Sequence, residues 1–141
     1  MTLRSMAIFA TLGLAACTSA PTHYYTLMPT ATDSAARTNQ PAPAFQFEMQ
    51  SVLIPVQVDQ PQVVVRKSDG ALAILETERW SAPLADEFHD SLVNQMELKL
   101  GTRNLAGLPK TSGRQILSLQ TDVRRFDSLA GQYALIDVVW S

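Results

Sequence analysis

The sequence contains very little cysteine and no apolar run near its start that is long enough to cross a membrane. Cys17 is the single cysteine among 141 residues, so no disulfide can form within the chain. The apolar segment 6–14 is interrupted by Thr11 and Gly13, whereas a membrane-spanning helix needs roughly 20 apolar residues. This segment is therefore excluded as a transmembrane anchor, and the position of Cys17 needs another explanation.

Basic residues are also scarce. The chain has 11 lysines and arginines against 13 aspartates and glutamates, which gives a formal net charge of -2. Because a nucleic-acid-binding domain needs a basic footprint, nucleic acid is not an expected partner. The catalytic signatures HExxH, GxSxG, the P-loop and GxGxxG do not occur in the sequence. The length allows one domain.

Residues 1–16 have the parts of a cleaved signal peptide. Arg4 supplies a cationic start, the apolar stretch follows, and the small residues Ala15 and Ala16 precede Cys17. Leu14, Ala15, Ala16 and Cys17 closely resemble the lipobox of bacterial lipoproteins. In that family the cysteine thiol receives a diacylglycerol, a dedicated peptidase cuts on its amino side, and the new amine is usually acylated as well.

The lipobox resemblance implies that Cys17 is a lipid attachment site and that the mature protein begins there. Two or more acyl chains give stable membrane anchoring. The residue after the cysteine is Thr18, whereas an aspartate there tends to retain lipoproteins in the inner membrane. The expected location is therefore the periplasmic face of the outer membrane rather than the inner membrane. The alternative is a buried structural cysteine that follows a cleaved leader.

Residues 17–43 are expected to form a flexible tether that follows the acylated cysteine. This segment is rich in Thr, Ala, Ser and Pro, with one apolar group at residues 24–27. Tyr24, Tyr25 and Leu27 have side chains that favour strands, so this group predicts a short strand laid on the domain. The domain itself is expected to occupy residues 44–141.

The pattern of the domain predicts strands, one helix and further strands. Strands are expected at residues 45–54, 62–66, 71–75, 117–123 and 132–140, with a hairpin turn at Asp69 and Gly70. Apolar residues at four-residue spacing predict an amphipathic helix, with Ser81 as its cap, Pro83 in its first turn and Gly101 at its end; they are Leu84, Phe88, Leu92, Met96 and Leu100. The expected fold class is α+β, a mainly antiparallel sheet packed against one helix.

The order of these features resembles the ABC-type transport auxiliary lipoproteins, the PqiC or YmbA-like family. After the lipobox, the resemblance depends on nine landmark residues that are packing or turn positions; they are Tyr24, Tyr25, Leu27, Pro55, Pro61, Arg66, Trp80, Pro83 and Leu84. Family members usually continue past the last predicted strand into a further strand and a helix, whereas this sequence stops at Ser141. The resemblance therefore implies a domain that lacks a terminal strand or helix.

The resemblance implies an auxiliary role in intermembrane lipid transport, without catalytic chemistry or a cofactor. Such a lipoprotein would dock an MCE-domain periplasmic protein at the outer membrane, in a system with a permease and an ATPase. A ring of several copies is a further implication.

Two alternatives depend on different features of the chain. Asp86, His89 and Asp90 stand one helical turn apart and could serve a small periplasmic hydrolase or a metal-binding lipoprotein. We interpret them instead as the solvated polar face at the start of the helix, where acids favour the helix dipole, and we expect no metal. The other alternative is an envelope-stabilising lipoprotein without a transport partner.

Arg124 and Arg125 would point to opposite faces of a strand, so a single basic patch is not expected.

Overall fold

A computed structural model describes residues 19–30, 43–110 and 112–141 of the chain. The predicted signal peptide, the lipobox and Cys17 lie outside these residues, as does the part of the predicted tether at 31–42. The described elements are β1 (His23–Tyr25), β2 (Phe45–Leu53), β3 (Gln62–Arg66), β4 (Leu72–Trp80), α1 (Leu84–Leu100), β5 (Gln115–Leu129) and β6 (Tyr133–Trp140). Within the described ranges, no helix has both the length and the apolar character needed to cross a membrane.

The six strands form one mixed sheet with the order β1-β4-β3-β5-β2, and β6 pairs with β5. The hairpins β3–β4 and β5–β6 are antiparallel, as expected for strands joined by short turns. The pairs β1–β4, β2–β5 and β3–β5 are parallel. The α+β class with one helix is confirmed, and the sheet is mixed. Parallel pairs join strands that are distant in sequence, and no local pattern reports such pairing.

The long strand β5 organises the sheet because it pairs with three other strands. Its first half lies parallel to β2, with Phe47 opposite Leu117 and Met49 opposite Leu119. Its second half pairs with β6, and Leu129 at its end lies opposite Arg66 of β3. The end of β5 is therefore next to the end of β3, while its beginning is at the opposite end of the sheet.

The helix α1 begins differently from the prediction and ends as predicted. Pro83 is the N-cap residue, and its carbonyl accepts the N–H groups of Asp86 and Glu87 at 2.9 and 3.0 Å. Ser81 is not the cap, because its hydroxyl donates to the Glu87 carboxylate and no side chain caps a first-turn N–H. Gly101 closes the helix in the left-handed conformation at φ 66°, which favours glycine.

The hydrophobic core lies between the helix and the sheet. Leu84 and Phe88 at the start of α1 are buried, and the later apolar residues of the stripe are half-buried. Phe88 meets Phe126 edge to face at a ring-centroid distance of 5.3 Å. Burying a side chain of this size stabilises the fold by about 1.5–3 kcal/mol. The other buried apolar residues are Phe47, Met49, Val52, Val58, Val64, Leu105 and Val123.

The second half of α1 lines an open apolar cavity of about 510 Å³. Leu92 and Met96 form its helical wall, and Leu119 of β5 with Ile136 of β6 faces them. Trp140 stands at its edge with 73% of its surface exposed. The apolar face of α1 is therefore covered completely only near the beginning of the helix.

Candidate functional site

Residues 23–28 lie shortly after Cys17 in sequence and bind to the domain. We call these residues the strap. Its strand β1 lies parallel to β4, with His23 opposite Glu78 and Tyr25 opposite Trp80. The Tyr25 carbonyl also accepts the N–H of Ser81 at 2.8 Å. The sequence predicted a short strand laid on the domain near residues 24–27, and the strand spans residues 23–25.

A buried carboxylate on α1 holds the middle of the strap. Glu87 is only 4% exposed. Its Oε2 atom accepts hydrogen bonds from the Thr26 hydroxyl at 2.7 Å and from the Leu27 N–H at 2.8 Å, and its Oε1 atom accepts from the Ser81 hydroxyl. The Ser91 hydroxyl donates to the Leu27 carbonyl at 2.9 Å. The strap is therefore attached to the helix as well as to the sheet.

The hydrogen bonds at Glu87 outweigh the effect of its burial on ionisation. Burial alone raises the pKa of the Glu87 carboxyl, because a charge is less stable away from water. Hydrogen bonds from Ser81, Thr26 and the backbone stabilise the charged form, so the pKa lies below its ordinary value. Glu87 is thus an ionised acceptor, and charge-assisted hydrogen bonds of this kind are stronger than neutral ones.

A second carboxylate holds the start of the strap at the edge of the sheet. Glu78 accepts a hydrogen bond from the Tyr25 hydroxyl at 2.5 Å and is 3.0 Å from His23 Nδ1. The hydrogen bonds from Tyr25 and His23 lower the pKa of Glu78, and the bond to Glu78 raises the pKa of Tyr25. Tyr24 is left pointing away from these contacts, with 67% of its surface exposed.

Arg66 forms an ion pair at the other end of the sheet. Its Nε lies 3.1 and 2.9 Å from the two carboxylate oxygens of Asp127, and its Nη1 donates to the Gly70 carbonyl at 3.1 Å. Burial raises the pKa of Asp127, but the hydrogen bonds and charge of Arg66 outweigh this and lower it. The Tyr133 hydroxyl also donates to Asp127 at 3.3 Å. Arg66 therefore links β3 to β5 and to the β3–β4 turn.

Four of the remaining landmarks lie together around one cavity of about 370 Å³. Pro61, Trp80, Pro83 and Leu84 line it. The Pro61 carbonyl accepts the Trp80 N–H at 2.8 Å, and the Trp80 ring packs near Phe126 at 6.0 Å. Leu84 is buried in the core beside them. The landmarks Tyr25 and Trp80 meet where β1 joins β4, as described above.

Pro55 and Leu27 lie elsewhere. The Pro55 carbonyl accepts the Val58 N–H at 3.0 Å in the turn after β2, and Leu27 packs against the core. Each landmark thus makes a turn, a strand contact or a core contact.

The histidine and carboxylates at the start of α1 do not converge. His89 Nδ1 lies 2.9 Å from Asp90 Oδ1 at the surface. Across residues 19–30, 43–110 and 112–141, no three His, Cys, Asp or Glu side chains form a group that could hold a metal. The buried carboxylate of this helix is Glu87, which accepts hydrogen bonds from the strap. Its partners Thr26 and Leu27 are 61 and 60 residues away, so no local signal reported its burial.

The family model for the ABC-type transport auxiliary lipoprotein component matches residues 25–141. The chain belongs to this family. The match begins within the strap and includes eight of the nine landmarks, so the resemblance that they carry is confirmed. Membership associates the chain with lipoproteins of the cell envelope and with ABC-type transport.

Solved structures share the fold of this auxiliary lipoprotein. A crystal structure described as an uncharacterized protein is 21% identical with a TM-score of 0.63, covering 86% of this chain and 69% of its own. A protein from Xanthomonas campestris of the DUF330 family is 23% identical with a TM-score of 0.53. That comparison covers 82% of this chain and 64% of the Xanthomonas protein, so the chain spans less than two thirds of the latter. No curated protein matches the sequence.

Proposed function

We propose that the protein is a lipid-anchored, non-catalytic auxiliary component of an ABC-type system that moves lipids between membranes. In this proposal Cys17 carries the acyl chains, and the domain docks an MCE-domain protein at the periplasmic face of the outer membrane. The family match supports the association with ABC-type transport. The lipobox residues Leu14, Ala15 and Ala16 support the anchor.

The attachment of the strap is the observation that carries the proposal. A lipoprotein that positions a partner at a membrane needs its anchor and its domain to be mechanically connected. The strap begins six residues after Cys17 and is held by Glu78 on β4 and by Glu87 on α1. These contacts connect the anchored end of the chain directly to the folded domain, which suits a docking role.

The geometry gives less support to the alternative functions. Within the described residues, the carboxylates near His89 form no group with it that could hold a metal, so the geometry adds no support for a metal-binding protein. An envelope-stabilising lipoprotein without a transport partner has no specific observation in its support, whereas the family match favours transport. We therefore propose that its partners are the MCE-domain subunit, the permease and the ATPase of such a system.

Affinity purification from detergent-solubilised envelopes tests this function. Mature wild-type protein should co-purify with an MCE-domain protein and its permease and ATPase, identified by mass spectrometry. The matched control is Glu87→Gln, which loosens the strap but leaves the lipobox unchanged. Recovery of acylated wild-type protein without any transport component would contradict the proposal.

A further inference from the structure

A bulge in β5 places two consecutive arginines at the same cavity. The pairing with β6 passes from Val123 opposite Val138 to Arg125 opposite Asp137, so Arg124 is an extra residue on β5. In a regular strand neighbouring side chains point to opposite faces, which is why the sequence predicted no common basic patch. A bulge interrupts this alternation. Arg124 and Arg125 both line a cavity of about 370 Å³, which we call the arginine cavity.

The arginine cavity carries uncompensated positive charge. Arg66, Arg124 and Arg125 line it together with a single carboxylate, that of Asp127. Arg66 already binds Asp127 and the Gly70 carbonyl, and Arg125 reaches Asp127 only at 3.5 Å. Arg124 has no hydrogen-bonding or ionic partner in the described part of the chain. Its guanidinium donors, and most of those of Arg125, are therefore available to a ligand.

Apolar side chains form much of the rest of the arginine cavity, which also includes Gln57. Val58, Leu72 and Phe126 contribute to its walls. Guanidinium groups bind phosphate oxygens in a planar, often bidentate geometry. Arginine side chains beside apolar side chains suit a phosphate group that belongs to a partly apolar molecule, rather than a small hydrated anion alone.

The short connection from Cys17 limits where the anchor can be. Six residue steps separate Cys17 from His23, so their Cα atoms are at most about 20 Å apart. Because β1 runs parallel to β4 with His23 opposite Glu78, the chain enters β1 from the end of the sheet where β4 begins. The β3–β4 turn, including Gly70, is at that end, and Gly70 lines the arginine cavity. The described chain therefore enters the strap from the direction of that end of the sheet.

We propose that the arginine cavity binds the phosphate of an anionic phospholipid headgroup in the membrane that holds Cys17. The end of the sheet with the β3–β4 turn then faces that membrane. This inference rests on the proposed acylation of Cys17 for its orientation, but not for its binding chemistry. Loss of Arg4 with residues 1–16 leaves 10 basic against 13 acidic residues, a net charge of -3. Overall charge thus opposes contact with an anionic membrane, so binding depends on the local cluster.

Sedimentation with vesicles tests the binding chemistry without the anchor. The mature chain, residues 17–141 with Cys17→Ser, should bind vesicles of phosphatidylglycerol and not vesicles of phosphatidylcholine. The double variant Arg124→Gln and Arg125→Gln should weaken this binding at least tenfold. The control pair Arg103→Gln and Arg114→Gln removes the same charge from exposed positions elsewhere and should leave binding within twofold.

Three outcomes would overturn the proposal. One is equal weakening by the two pairs of substitutions, which would indicate non-specific attraction. Another is unchanged binding in the cavity variant when circular dichroism shows the same fold as the wild type. The third is complete release from the vesicles by millimolar inorganic phosphate, which would assign the cavity to free phosphate instead of a lipid.

Energy transfer tests the orientation in the acylated protein. A fluorophore at Ser68→Cys, in the β3–β4 turn, should transfer energy efficiently to acceptors on the headgroups of a nanodisc. A fluorophore at Ser112→Cys, before β5, should transfer much less, because β5 extends about 45 Å between the two ends of the sheet. The reverse order would overturn the orientation. If Cys17 is not acylated, nanodiscs made of phosphatidylcholine alone will not retain the protein, and only the proposed anchor fails while the vesicle result stands.

Discussion

Glu87 accepts the backbone N–H of Leu27 at 2.8 Å across 60 residues of sequence. This bond joins the strap to α1, and the hydroxyl groups of Thr26 and Ser81 complete the set of donors around the same carboxylate. The side chain is almost fully buried, so these donors replace water as the partners of its charge. The attachment of Thr26 and Leu27 to α1 therefore depends in large part on one ionised group.

Replacing Glu87 by Gln should lower the free energy of unfolding by about 1–3 kcal/mol, because the buried donors lose a charged acceptor. Urea denaturation followed by circular dichroism measures this change. The control is Asp90→Asn on the same helix, whose side chain is 67% exposed and whose substitution should change stability by less than about 0.5 kcal/mol. An equal effect of the two substitutions would show that the donors around Glu87 contribute nothing specific.

Acid should weaken the attachment of the strap. The pKa of Glu87 lies below its ordinary value of 4.5 in the folded protein, so the folded state favours the charged form. The resulting stability is fully present above the unfolded pKa and is lost as the pH falls through the lower folded pKa. Urea unfolding from pH 6 to pH 3 should show a fall in stability below about pH 4.5 that is smaller in Glu87→Gln. The pKa values of Glu78 and Asp127 are also lowered in the folded protein, so these two carboxylates account for the remaining decrease in stability. Identical pH profiles for the wild type and Glu87→Gln would contradict the assignment.

Local patterns were sufficient for the elements that depend on neighbouring residues. Asp69 and Gly70 predicted the β3–β4 turn, and the four-residue spacing from Leu84 to Leu100 predicted α1 with Gly101 at its end. Each signal operates over one turn or one helix, where sequence separation and spatial separation agree. The hairpins and the helix could be predicted for this reason.

The features that form the candidate sites depend on residues far apart in sequence. Neither the parallel pairing of β2 with β5 nor the burial of Glu87 beside Thr26 leaves a periodic pattern. The bulge at Arg124 reverses a conclusion that strand alternation supported. Ser81 was predicted as the helix cap because it lies just before the helix, but its hydroxyl donates a hydrogen bond to the nearby carboxylate of Glu87. Tertiary context decided each of these cases.

Substitution of Cys17 by Ala should abolish acylation, because the attachment thiol is lost. Metabolic labelling with a palmitate analogue should mark the wild type only, and the variant should remain as an uncut precursor. Cys17→Ser is a matched control that keeps the size of the side chain and should behave like the alanine variant. Equal labelling of the wild type and Cys17→Ala would refute the lipoprotein prediction.

Changing His89 to Ala should leave both stability and envelope function unchanged. Its observed side-chain partner is the exposed Asp90 on the next position of the helix, and surface substitutions usually stay within about 0.5 kcal/mol. Thermal unfolding and co-purification with transport components measure the two properties. Stoichiometric metal in the wild type that disappears in the variant would instead support the metal-binding alternative.

The apolar cavity beside α1 should promote self-association of residues 18–141, expressed without the leader and without Cys17. Contiguous apolar surface of this kind is an interaction or aggregation site. Ile136→Lys places a charge in the cavity, whereas Leu108→Lys places one outside it at the same exposure of 52%. Light scattering and binding of a hydrophobic dye should decrease only in Ile136→Lys. A monomeric wild-type chain that binds no dye would show that the cavity is not an association site.

The parallel pairing of β1 with β4 also sets an order of events as the chain is made. His23 is synthesised 55 residues before Glu78, and Leu27 60 residues before Glu87. The strap therefore has no place to bind until β4 and α1 exist, and closing so long a loop slows folding. During that interval the strap is not yet bound to its partners on β4 and α1. The proposed acylation of Cys17 would then come before docking of the strap.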